Sequence, residues 1–98
     1  MANFSEMINA NYPVLVDFSA EWCGPCKVMS GILDQLKSHF GNRATILKVD
    51  IDKNPRVAKI YQIQSVPTLL LFKKGNIIWR QSGVVFIEHL KNILEQHI

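Results

Sequence analysis

Along these 98 residues the spacing of hydrophobic positions changes several times, and each change marks an element. Phe4, Met7 and Ile8 share one helical face, and Asn3 followed by Glu6 has the form of a capping box; together they predict a short helix that Pro13 ends. Val14-Leu15-Val16-Asp17-Phe18 is a nearly continuous apolar run, the pattern of a strand buried on both faces. From Cys23 the period becomes helical: Val28, Met29, Ile32, Leu33, Leu36 and Phe40 recur at that spacing, and Gly41 supplies the stop. Thr45 to Ile51 reads as a second strand. Asn54-Pro55, with proline at the first helical position, opens a helix that leads to Tyr61. Thr68 to Phe72 is a third apolar strand, Lys74-Gly75-Asn76 turns into a fourth at Ile77 to Gln81, and Phe86, Leu90, Ile93 and Leu94 give a closing amphipathic helix.

The order α-β-α-β-α-β-β-α contains a crossover between strands and then a hairpin. It implies an α/β fold with one mixed sheet flanked by helices on both faces. In open α/β sheets, ligands bind at the carboxyl ends of the strands. Here that place is where the first core strand hands over to the long helix, at EWCGPCK, residues 21–27, which hold both cysteines of the chain.

Composition narrows the classes. The length fits one domain over residues 1–98, and such a chain buries roughly two-thirds of its unfolded surface, so no disulfide staple is required. With 48% hydrophobic and 19% charged residues, it has the make-up of an ordinary globular protein. The net charge of +3 is scattered, and the longest basic run is Lys73-Lys74, which describes a solvated face and excludes a nucleic-acid stripe. No stretch approaches the roughly 20 apolar residues of a membrane helix. The first residues have neither a basic start nor an apolar core of a leader, because Glu6, the asparagines and Pro13 interrupt them. The expectation is a cytoplasmic monomer that binds neither nucleic acid nor membrane.

Two cysteines three positions apart permit a short permanent disulfide, half a metal site, or redox chemistry. A thiol is nucleophilic only as thiolate, and a helix N-terminus favours that form through unpaired N–H donors and the positive end of the dipole. Cys23 at the helix start has that environment, with Lys27 adding positive charge; Cys26, one turn on, comes close to it but points toward the protein body. The geometry suits a pair that alternates between dithiol and disulfide: Cys23 attacks a partner's disulfide, and Cys26 then attacks the Cys23 sulfur and releases the reduced partner. Gly24 lets another backbone approach and Pro25 stiffens the turn. A permanent disulfide would close only a tiny loop and add little stability. Zinc fails as well: Cys23, Cys26 and His39 fit the first three ligands of a zinc finger, but residues 43–45 offer no fourth, and His39 lies about 20 Å along the helix from Cys26.

Asp17 is a carboxylate inside an apolar strand, costly unless paired, hydrated or functional. Six residues before a redox cysteine, it is a candidate to take the proton of Cys26 when that thiol must attack. Lys48, a charge within Ile46-Leu47-Lys48-Val49, is either an outward-facing strand residue or, if the two strands are neighbours, a partner for Asp17. Val66-Pro67-Thr68 places a proline at the start of a core strand, where no ladder donor is lost. Trp22 reads as a cover over the site, and the three histidines carry no assigned role.

VDFSAEWCGPCK, followed by KVDIDKNP and SVPTLLLFKKG, resembles the thioredoxin family over nearly the whole chain from about Pro13, and WCGPCK is far more specific than a bare pair of cysteines two residues apart. The resemblance implies the thioredoxin fold, with a four- to five-stranded sheet, and a protein-disulfide reductase that binds no cofactor, draws electrons from NADPH through thioredoxin reductase, and acts on disulfide-containing client proteins. It implies Cys23 as nucleophile, Cys26 as the more buried resolving thiol, Asp17 as the buried acid and Lys48 as its partner. It also implies Pro67 as a cis-proline facing the site, Val66 as a backbone partner for bound peptide, Gly83 as the glycine that leaves room for substrate, and Trp22, Gly24 and Pro25 beside it. Four positions depart from the family pattern. The N-terminus is short for the usual first edge strand, so four strands or a very short fifth are expected; Gly31 stands where a kinking proline is common; Ser19 replaces a frequent tryptophan; and Val84 to Ile87 lack a polar helix cap. Two other functions compete. One is an exported disulfide oxidant or isomerase, disfavoured by the Gly-Pro between the cysteines and the missing leader; the other is a binding module with incidental thiols, disfavoured by the joint presence of Asp17, Cys23, Cys26 and Pro67.

Overall fold

A computed structural model describes residues 3–98. Its elements are α1 (Phe4–Ile8), β1 (Val14–Ser19), α2 (Gly24–Phe40), a 3-10 turn at Gly41–Arg43, β2 (Thr45–Asp50), α3 (Pro55–Ile60), β3 (Thr68–Lys73), β4 (Asn76–Ser82) and α4 (Ile87–Glu95). The four strands form one sheet in the order β2-β1-β3-β4. β1 and β2 run parallel across the α2 crossover, while β1 with β3 and β3 with β4 are antiparallel. A fifth strand is absent among the described residues.

The apolar runs of β1 and β3 are continuous because both faces of the sheet are covered. Successive side chains alternate between two cores. Leu15, Ile46, Leu69 and Leu71 meet Met29, Leu33, Leu36 and Phe40 of α2 and Leu90 and Leu94 of α4. On the other face, Val14, Val16, Phe18, Leu70 and Phe72 meet Ile8 of α1, with Phe4, Val57 and Tyr61 packed alongside. β2 and β4 are the edges, and β4 is largely exposed along its length.

Helix ends follow local chemistry. The Asn3 side chain accepts the Glu6 N–H at 2.9 Å, as the capping pattern predicts. α1 nevertheless ends at Ile8, well before Pro13, and Met7 is exposed, since five residues are too few to turn more than one narrow face inward. Val28 of α2 is exposed too: the buried stripe is Cys26, Met29, Leu33, Leu36 and Phe40, and Val28 lies just off it. Gly41 ends α2 with φ +54, a backbone conformation that side chains disfavour. α4 starts after Phe86 with no side-chain cap, as the apolar run at 84–87 predicts. The carboxyl end of α3 is tied instead from the sheet, because the Arg80 guanidinium donates to the Tyr61 and Gln62 carbonyls at 2.7 and 2.9 Å.

Candidate active site

β1 ends at Ser19, and four residues later Cys23 forms the N-cap of α2, with Pro25 in the first turn. Proline is tolerated there because the first helical N–H groups have no partner inside the helix. The turn is closed by the Cys23 N–H donating to the Ala20 carbonyl at 3.2 Å. Cys23 and Cys26 form a disulfide, with Cα atoms 5.3 Å apart. The Cys26 N–H donates to Cys23 Sγ at 3.2 Å, so one of the free donors of the helix end points at that sulfur. Cys23 Sγ lies 3.6 Å from the Val66 carbonyl oxygen, and the Val66–Pro67 peptide bond is cis.

Exposure does not separate the two cysteines as expected. Cys23 is 5% exposed and Cys26 4%, because Ala20, Ile51 and Val66 pack around the pair. Their difference is one of neighbours. Cys23 faces Val66 beside Pro67, whereas Cys26 lines a cleft of about 350 Å³ with Ser19, Ala20, Glu21, Lys27, Ser30 and Asp50. Gly24 and Pro25 are exposed beside the pair, and Trp22 stands 70% exposed with its indole N–H donating to Asp52 at 2.9 Å. The Gly83 N–H donates to the Pro67 carbonyl at 2.8 Å, its φ is +88, and a Cβ there would meet nothing within 4 Å. Cys23, Val66, Pro67 and Gly83 are thus brought together from three separate segments.

Asp17 is 1% exposed, and among the described residues its Oδ1 has no hydrogen-bond partner. Burial pushes its carboxyl up from the ordinary 3.8 to about 6, and the charge of Lys48 pulls it partly back. Lys48 does sit opposite Asp17 in the parallel register of β1 and β2. The expected ion pair between them is absent: the Lys48 ammonium donates to Asp34 Oδ1 and to Ser30 Oγ, each at 2.7 Å, both on α2. The reason is desolvation, for a long flexible ammonium keeps more water beside exposed Asp34 than it would over a carboxyl sealed in the core.

Sequence reasoning passed over Asp34, Ser30 and Asp52. Asp34 and Ser30 fall on the polar side of a helical pattern, and only the fold brings Lys48 to them. Asp52 belongs to the KVDIDKNP segment, yet nothing in its spacing from Trp22 announces a contact across 30 positions. Among the described residues there is no group of three or more His, Cys, Asp and Glu side chains able to hold a metal ion, and no helix is long and apolar enough to cross a membrane.

Comparison with known proteins gives one consistent result. The thioredoxin family model matches residues 1–96. A thioredoxin-like protein of Synechocystis sp. is 52% identical over 84 residues, covering 85% of this chain and 80% of that protein. The thioredoxin of Haemophilus influenzae is 38% identical over 94 residues, 96% of this chain and 88% of its own. A bifunctional thioredoxin reductase/thioredoxin of Mycobacterium leprae is 42% identical over 80 residues, 82% of this chain but 18% of that longer protein.

Proposed function

Because the chain belongs to the thioredoxin family, and so is a thiol–disulfide oxidoreductase in the role of a protein-disulfide reductase, we propose that Cys23 is its attacking thiolate and Cys26 its resolving thiol. The observation that carries this reading is the pair's placement on the N-terminus of α2, with the Cys26 N–H aimed at Cys23 Sγ. In the reduced protein that donor and the helix dipole stabilise a thiolate on Cys23. The thiolate attacks one sulfur of a client disulfide; the client S–S bond breaks, and its departing thiolate takes up a proton. Asp17 accepts the proton of Cys26, and the Cys26 thiolate attacks Cys23 Sγ. The mixed disulfide breaks, the second client thiolate is protonated, and the Cys23–Cys26 disulfide remains. Two electrons have passed to the client together with two protons, one from Cys26 by way of Asp17 and one from solvent, which had taken it up when Cys23 ionised.

Asp17 suits the proton-accepting role because a carboxyl pushed up to about 6 is a better base than an ordinary one, close to working pH. Client peptide lies along the exposed segment formed by Trp22, Gly24 and Pro25 and pairs with the backbone at Val66, beside Pro67 and Gly83. The space over Gly83 and the exposure of Gly24 support that path. Lys48 acts on Asp17 through its charge alone. Residues 1–98 make one domain that works as a monomer in the cytoplasm, holding no cofactor. It is re-reduced by thioredoxin reductase with NADPH as electron source, a partnership supported by the single polypeptide of Mycobacterium leprae whose name carries both proteins.

The roles are tested by trapping. Cys26→Ser accumulates mixed disulfides with clients, and Cys23→Ser accumulates few; equal or reversed trapping overturns the assignment. NADPH-driven reduction of a protein disulfide, with thioredoxin reductase present or omitted, tests the electron source.

A further inference from the structure

Three residues of α2, Cys26, Ser30 and Asp34, follow each other at four-residue spacing and therefore lie on one side of the helix. β1 lies below that helix. Asp17 shares the α2 side of the sheet with its register partners Lys48 on β2 and Leu69 on β3, because Leu69 belongs to the α2 core and side chains in register point the same way. Lys48 thus starts beside Asp17, yet its ammonium ends on the helix, bonded to Ser30 and Asp34. The buried carboxyl is left with an unpartnered Oδ1. Two carboxylates compete for one cation, and the exposed one holds it.

We propose that Asp34, assisted by Ser30, is a positioning residue for the reductase: it anchors the Lys48 ammonium on α2 and keeps that charge from closing onto the Asp17 carboxyl. The inference rests on the assignment of Asp17 as the proton acceptor for Cys26. A cation in contact with Asp17 would stabilise its ionised form and make it a weaker base. Held at Asp34, the same cation still feels Asp17 but does not neutralise it. Asp34 in turn is kept below the usual carboxylate range by the hydrogen bond and the charge of Lys48, so it stays ionised, and the anchor persists, at any pH where Asp17 must accept a proton.

Among the described residues, Lys48 is the charged group that shifts the Asp17 carboxyl. β3 presents apolar Leu69, and α4 meets this side of the sheet through Leu90 and Leu94. α2 meets this side of the sheet through Met29, Leu33 and Leu36 and holds the Lys48 ammonium with Ser30 and Asp34, while Glu21, Lys27 and Asp50 line the cleft beside Cys26 and are common to every variant below. The charge that can move is that of Lys48.

The experiment combines Asp34→Asn, Lys48→Met and the double variant in the full chain. It follows the Asp17 carboxyl carbon by NMR against pH in the reduced protein, and the pH profile of the resolving step from a preformed mixed disulfide. In Asp34→Asn the freed ammonium swings to Asp17, and the carboxyl titration moves to lower pH by about one unit, the lower end of what an opposite charge at contact produces. The resolving rate at neutral pH falls roughly threefold, as expected for a base weakened by that much. Asp34→Glu, which keeps the charge on the same helical turn, restores both. In the Lys48→Met background, Asp34→Asn has almost no further effect, since there is no cation left to release. An Asp17 titration unmoved by Asp34→Asn overturns the proposal, and so does an equal shift with and without Lys48, which would mean that Asp34 acts by its own field. The separate variant Asp17→Asn tests the underlying assignment: an undiminished resolving rate there rejects Asp17 as proton acceptor, while the carbon titration still decides what Asp34 does to Lys48.

Discussion

Asp17 is held in its strand at a cost that depends on pH. Its folded carboxyl titrates near 6 against 3.8 when unburied, so the native state binds more protons than the unfolded state between those values. The stability this group leaves intact below about pH 4 is therefore lost as pH rises through 6, and the loss at full ionisation is on the order of 3 kcal/mol. Asp17→Asn removes the titration and roughly keeps the shape. Its unfolding free energy, relative to the parent, should rise by most of that amount between pH 4 and pH 8 in urea melts, while turnover falls. A variant no better off at pH 8 than at pH 4 would show that the carboxylate is stabilised in place. Asp34 has the opposite sign: its lowered titration adds stability above the ordinary carboxylate range that is lost as pH falls.

At the scale of the element, α2 does two jobs. Its first turn carries the cysteine pair, and its buried stripe carries one whole core. Its centre holds Gly31, exposed, at the position where the family often has a kinking proline. A Cβ there would meet nothing within 4 Å. Glycine inside a helix costs about 0.5–1 kcal/mol relative to alanine, mainly through backbone entropy. Gly31→Ala should therefore raise Tm by roughly 4 °C in a domain of this size without changing protein-disulfide reduction, as thermal melts and the reductase assay would show. A lower Tm would mean that the helix needs flexibility at its centre. The helical period of 24–40 and the Pro25 and Gly41 punctuation were legible in the sequence because they are local. The exposure of Val28 and the shortness of α1 were not, since a period names a face without saying how wide a neighbour covers it.

Across the whole molecule, the two faces of the sheet differ in what they bury. The face with α2 and α4 carries Asp17 and Lys48, while the face with α1 and α3 is closed by aromatic packing: Phe72 lies 5.9 Å from Phe4 and 5.3 Å from Tyr61, ring centre to ring centre, and is fully buried. Phe72→Ala leaves a cavity that joins β3, α1 and α3, and should cost about 3–5 kcal/mol in denaturant melts. The redox potential of the cysteine pair in the folded variant should stay close to the parent value, because the cluster around the disulfide does not include that ring and meets its core only at Ile51 among the described residues. A shifted potential would show that the two faces are coupled through the sheet.

The order of elements, the mixed α/β class and the location of the cysteines at a helix start can be read from the chain alone, because these depend on periodicity, turn residues and caps within a few positions of each other. It also showed a carboxylate inside an apolar strand, a group that had to be paired, hydrated or functional. The strand order, the nearly equal burial of Cys23 and Cys26, the bond from Trp22 to Asp52, and the choice of Lys48 between two carboxylates emerge only in the folded molecule. Each of these depends on what a side chain meets across the sheet or across a loop. For Lys48 the deciding physics is desolvation: register places it beside Asp17, but its length lets it reach Asp34, where its charge stays hydrated.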